Sequence, residues 1–184
     1  MLFDLPTSVE FGGREWVINT DYRDILTILT AFGDTDLTDD EKAYVCLYDF
    51  YKDFEDIPQG LYKEAFDAAM EFIDCGQKGK DGPQTMDWEQ DAPLIFPAVN
   101  AVAGKEVRAM DYLHWWTFFG FFMEIHDSIF SQVLSIRQKK AKGKKLEKYE
   151  REFWQQNLDI CKLRPKLTDE EKAEKERLKQ LLGG

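Results

Sequence analysis

His114 and His126 are the two side chains of this sequence that can exchange a proton near neutral pH, and Cys46, Cys75 and Cys161 are its thiols. The histidines stand twelve residues apart in what reads as one helix. Helical rise then separates them by about 18 Å, so they cannot share a metal within one chain. Neither lies near a cysteine in sequence. His114, set among aromatic residues, reads as a hydrogen-bonded core histidine rather than a ligand or base. Three cysteines are odd in number and lack metal-ligand spacing, which predicts buried free thiols in a reducing compartment. The acidic run Asp34-Thr35-Asp36 with Asp39, Asp40 and Glu41 lacks the central glycine and distal glutamate of a calcium loop, and acids in a helix's first turn already complement its dipole. No glycine-rich phosphate loop, nucleophile elbow or zinc-binding His-Glu helix occurs. Carboxylates are plentiful, but nothing selects one pair as acid and base. The expectation is a non-enzyme without metal or cofactor, acting by binding.

The binding chemistry on offer is aromatic and cationic. Met110 to Ile136 holds two tryptophans and five phenylalanines. Trp115, Phe118, Phe119, Phe122, Ile125, Ile129, Val133 and Ile136 recur at helical spacing. With Leu113, Trp116, Phe121 and Met123 on its other faces, the front half is apolar all round and must be enclosed by other elements or by a partner. One long helix is therefore expected here, with Trp115, Trp116, Phe119 and Phe122 as candidate partner-binding residues for an amphipathic helix. Directly after it, Arg137, Lys139, Lys140, Lys142, Lys144, Lys145 and Lys148 face the single acid Glu147. Arg137, Lys139 and Lys140 complete the candidate set, as a cationic stretch that could dock on the acidic half of a neighbouring copy.

Charge narrows the partners. The net charge of −11 divides into 22 acidic and seven basic residues up to Gly104, and 13 acidic and 17 basic residues after it. The acidic part gains nothing from phosphate, and no aromatic lies within the basic run for base stacking, so no nucleic-acid partner is expected. The apolar run Leu113 to Met123 is about half the length of a membrane span, so no membrane partner is expected either. An acidic start broken early by Pro6 does not read as a signal peptide.

The elements that must position these residues are mostly helices. Gly12-Gly13 between Ser8–Phe11 and Arg14–Ile18 predicts a hairpin with Val9, Phe11, Trp16 and Ile18 facing the core. Thr20 is expected to cap a helix over Asp21 to Phe32, and Thr38-Asp39-Asp40-Glu41 is a capping box for a helix running to about Lys52. Further helices are expected over Gly60 to Asp74, over Trp88 to Ala103 with a first-turn break near Pro93 or a kink at Pro97, and over the aromatic segment capped by Asp111. Past a break at Gly143 comes one over Leu146 to Gln156, and a charged terminal helix is expected over Glu170 to Leu182. Residues 76–84 read as a mobile connection. The fold class is mainly α: a single helical domain of six or seven helices around a central aromatic helix, with an N-terminal β-hairpin. Its expected extent is residues 1–160, followed by a charged tail over 161–184 with a peripheral helix.

Asp111-Tyr112-Leu113-His114-Trp115-Trp116-Thr117-Phe118 resembles the bacteriophage family named for gene product fifteen, found in long-tailed phages of Gram-positive hosts. The likeness extends to Phe11-Gly12-Gly13 with Asn19 to Arg23, to Asp87 to Ile95, and to the lysine-rich end of the chain. Members are encoded just before the tail tape-measure gene. The resemblance thus implies a tail assembly chaperone in the cytoplasm of the bacterial host that coats the helical, aggregation-prone tape-measure protein. It also implies a homo-oligomer, and brings no catalytic residues. Against it stands a second class, an acidic mimic of nucleic acid occupying a host nuclease or DNA-binding protein, motivated by the acidic first 104 residues.

Overall fold

A two-residue glycine turn opens the described chain. In the computed structural model, residues 4–77 and 83–164 are described, together with 171, 173 and 177. Strands β1 (Ser8–Phe11) and β2 (Arg14–Val17) pair antiparallel with Phe11 opposite Arg14. Gly12 and Gly13 have φ of +58° and +73°, the left-handed values that a primed two-residue turn demands. A side chain at Gly12 would also run into Leu61, whose Cδ1 lies 2.7 Å from the Cβ position. Phe11, Trp16 and Ile18 are buried as their alternation requires, and Phe11 stacks on Trp16 with ring centroids 5.2 Å apart.

Helix α1 (Tyr22–Phe32) is capped by Asp21 and not by Thr20. The Asp21 carboxylate accepts from the Arg23 backbone N–H and from the Leu113 N–H, so it fixes two segments together. Thr20 is used instead for the same junction: its carbonyl accepts from the Trp115 N–H and its hydroxyl bonds Tyr112. In α2 (Asp39–Phe50) the Thr38–Glu41 capping box forms as expected. After a short 3-10 turn that follows Pro58 comes α3 (Tyr62–Ile73), which packs on α2 and on β1.

Helix α4 (Ala92–Ala103) starts four residues later than the expected Trp88. The Asp87 carboxylate accepts from the N–H groups of Glu89 and Gln90 and closes a separate turn, which leaves Pro93 in the first turn of α4, where it costs no hydrogen bond. Gly104 ends it at φ +69°.

The aromatic segment is two helices, which corrects the single long helix. Helix α5 (Trp115–Met123) is capped by His114 and not by Asp111, and it ends at Glu124. Asp127 takes φ +32°, and a Ser128–Ser131 capping box starts α6 (Ile129–Ala141). The break rotates the second helix: Phe130, Val133 and Ile136 are buried, whereas Ile129 is exposed. Gly143, at φ +64°, then turns the chain into α7 (Lys148–Gln156), followed by the short α8 (Leu158–Cys161). Of the terminal helix expected over Glu170 to Leu182, Glu171, Ala173 and Arg177 are helical and exposed, and the rest lies outside the described residues. So do residues 78–82 of the expected mobile connection.

The core runs from the hairpin through α1, α2 and α3 to α4 and α5. At its centre Tyr22 stacks on Phe118 with centroids 4.5 Å apart, and both are fully buried. The protein is thus mainly α with an N-terminal hairpin, with eight α-helices among the described residues.

Candidate functional site

Only part of α5 is enclosed. Trp115 is 1% exposed: its indole N–H donates to the Ile73 carbonyl at 2.8 Å and its ring lies against Phe118. Trp116 is half-buried, with its N–H on the Phe72 carbonyl at 2.9 Å. Phe119 stacks on Phe122 and lies tilted against Trp115, and Phe122 lies against Trp88 and Phe130; both are half-buried. Of the four aromatic candidates, then, one is sealed and three reach the surface.

What remains outside is a short apolar face. Trp116, Phe119, Gly120 and Met123 recur at the spacing that places residues on one side of a helix, and Met123 is 52% exposed. Gly120 sits exposed in the middle. A Cβ there would meet nothing within 4 Å, so no contact with the described residues explains the absence of a side chain. Glycine inside a helix costs about 1 kcal/mol relative to alanine. The notch it leaves is the kind of place where another backbone can approach closely.

His114 is committed to structure. Its Nδ1 accepts the Trp116 backbone N–H at 3.0 Å, which puts the hydrogen on Nε2, facing the Pro6 carbonyl at 2.9 Å. His126 lies past the end of α5, 3.5 Å from Glu124. The thiols are not poised as nucleophiles: burial pushes Cys46 up to about 12 and Cys75 up to about 11. Among the described residues no cluster of three or more His, Cys, Asp or Glu side chains is arranged to hold a metal.

The three cationic candidates part company. Arg137 is not on the surface, which corrects its place in an exposed basic run. All five of its N–H groups point inward, to both oxygens of Asp91 and to the carbonyls of Cys161, Ile160 and Thr85. Helical spacing explains this, since Arg137 follows Phe130 by seven and Val133 by four on the buried face of α6. Lys139 is paired with the buried Glu150 at 2.6 Å, which holds the Glu150 carboxyl below its usual range. Lys140 stays exposed, with its ammonium 4.3 Å from the centre of the Trp154 ring.

A recess of about 620 Å³ between α1 and the start of α4 is lined in part by Leu26, Ala31, Trp88 and Phe96. Its two arginines are already engaged, Arg23 with Asp21 and Arg108 with Glu106.

The family model described as Bacteriophage Gp15 protein matches residues 2–163. The chain belongs to this family. No curated protein and no solved structure matches it. The Gp15 match takes in the hairpin and helices α1 to α8, and reaches past Cys161, whose carbonyl helps to hold Arg137. Asp91, Glu150 and Trp154, which sequence reading did not single out, therefore lie inside the Gp15 region. Signals existed for two of them: Glu150 stands three residues after Glu147 at a helix start, and Asp91 stands just before Pro93 where a helix can begin. For Trp154 beside Lys140 there was none, because the turn at Gly143 creates the contact.

Among the described residues no helix is long and apolar enough to cross a membrane.

Proposed function

We propose that this Gp15-family chain is a non-catalytic tail assembly chaperone that holds the tape-measure protein during tail morphogenesis in the host cytoplasm, working as a homo-oligomer. The observation that supports the reading is the open face of α5, where Trp116, Phe119 and Met123 surround the empty position at Gly120. An amphipathic client helix crossing there would bury its own apolar stripe on three large side chains, with its backbone close to that of α5. Water exposure of these side chains has no stabilising role in the monomer, whereas covering them would contribute roughly 25 cal/mol per Å² of apolar surface removed from water.

The reading as an acidic mimic of nucleic acid has less behind it. Mimicry needs carboxylates aligned outward, and several here are spent inward or at helix starts: Asp91 on Arg137, Glu150 on Lys139, Asp21 and Glu41 as caps.

Co-expression with the tape-measure protein of the same phage tests the chaperone reading. The expected result is soluble tape measure that co-purifies with this chain. A tape measure that stays insoluble, with nothing co-purifying, would overturn it.

A further inference from the structure

The turn at Gly143 folds the end of α6 back against α7 and makes a recess of about 460 Å³. Lys140, Lys145 and Arg151 line it with Leu146 and Trp154. Arg137 and Lys139 have been withdrawn from the basic run by Asp91 and Glu150, and Lys148 lies 4.0 Å from Glu152. The three cations of the recess form no ion pair with any described residue; Lys140 has only the ring of Trp154. Like charges held around one hollow repel, and an anion placed between them relieves that repulsion. Leu146 and Trp154 in its lining add an apolar contact. The recess therefore suits carboxylates that come together with an aromatic or aliphatic side chain.

The same chain carries such a surface elsewhere. A second recess, of about 570 Å³, is lined by Asp24, Asp49, Asp53, Glu55 and Asp56, with Lys52 as its one cation. At its edge Tyr48 is 57% exposed and stacks on Tyr44, 55% exposed, with both rings edge-on to Phe54. Burial raises the Asp24 and Asp49 carboxyls, and neighbouring acids raise Asp24 further, so a cation arriving there is welcome. The two recesses belong to different parts of the body: α2 packs on α1 and α3, whereas α6 and α7 pack on α8, and α6 also on α4.

We propose that the cationic recess of Lys140, Lys145, Arg151 and Trp154 docks on the acidic, tyrosine-edged recess of a second copy of this chain. This specifies the contact behind the self-association proposed above and does not depend on the tape-measure client. The contact is head-to-tail, because each copy offers two different surfaces, and repeating it builds a ring or an open row. A nucleic-acid strand fits the recess less well, since any length of it beyond the three cations meets a chain of net charge −11.

Light scattering on the full chain and two charge reversals tests the contact. Wild type is expected to grow in mass with concentration at low salt and to fall to single-chain mass in high salt. K140E/K145E/R151E and D53K/E55K/D56K should each stay at single-chain mass, with helical circular dichroism unchanged. Mixed one to one they should associate again, because the intact cationic recess of one meets the intact acidic recess of the other and the two reversed recesses are themselves opposite in charge. That restored pairing also shows that both variants are folded. A wild type of single-chain mass throughout, assembly that survives either reversal, or a mixture that fails to pair would overturn the proposal. So would tight binding of a single-stranded oligonucleotide that the first variant loses while its mass is unchanged. None of these outcomes bears on whether the tape measure co-purifies.

Discussion

Asp91→Ala is expected to lower the stability of the fold by about 3–5 kcal/mol, because it leaves a buried guanidinium without its counter-charge. The two carboxylate oxygens of Asp91 lie 2.7 and 2.9 Å from the Arg137 nitrogens, and the side chains are 1% and 5% exposed. Planar fork geometry lets one guanidinium satisfy a carboxylate and three carbonyls at once, and so tie the turn before α4 to α6 and α8. Arg137→Lys should also destabilise, since an ammonium has only three donors and no fork. The double variant Asp91→Ala/Arg137→Met should lose far less than the sum of the single changes, because an apolar replacement removes the desolvation cost together with the pair. Urea unfolding of wild type, Asp91→Ala, Arg137→Lys, Arg137→Met and the double variant checks this. For a chain of this size the Asp91→Ala loss corresponds to a fall in melting temperature on the order of 10 °C. A loss below about 1 kcal/mol would mean that water reaches the pair and that the clamp is not one.

Trp115→Ala should cost a similar amount, about 3–5 kcal/mol, by opening a large cavity at the root of α5. The ring is in contact with Phe118, Phe119 and Trp88, and its N–H is the donor to the Ile73 carbonyl. Trp115→Phe separates the two contributions. It keeps much of the packing and removes the donor, so a loss of about 1–2 kcal/mol is expected from the unpaired carbonyl and the smaller ring. Thermal unfolding followed by circular dichroism reads both changes. Equal losses for Phe and Ala would place the whole effect in the hydrogen bond, contrary to the packing described.

How much of this was legible in the chain depends on whether the signal was local. The Gly12-Gly13 turn, the Thr38–Glu41 box and the break at Gly143 are each decided by a few adjacent residues, and the structure has all three. The continuous aromatic helix was not decided locally. Its apolar spacing runs through Glu124 to Ser128, and the Ser128–Ser131 box inside that stretch reads equally well as a polar helix face. Once the chain breaks there, α6 restarts in a new rotation and Phe130 replaces Ile129 inside. The candidate site suffered in the same way. Counting charges treated Arg137 as one cation among seven, although its spacing from Phe130 and Val133 already put it on the buried face. Asp91 as its partner, and Trp154 beside Lys140, are contacts across 46 and 14 positions that no pattern in one sequence encodes. Trp116, Phe119 and Phe122 do reach the surface, and Trp115 does not. Gly120 was overlooked because a glycine within an apolar run reads as packing, and only the empty space beside it points outward.

That empty space is where the chaperone reading is most exposed to test. Gly120→Ala should raise stability by about 0.5–1 kcal/mol, since nothing obstructs the new Cβ and alanine favours a helix. Gly120→Trp should fold as well as wild type yet block a helix from crossing α5. The deciding measurement is the amount of tape-measure protein that co-purifies with wild type and with Gly120→Trp when each is co-expressed with it. A loss of tenfold or more with Gly120→Trp, at unchanged melting temperature, is the result predicted for a client seated on Trp116, Phe119 and Met123. Equal recovery with both chains would contradict it and remove the face of α5 as the client's seat.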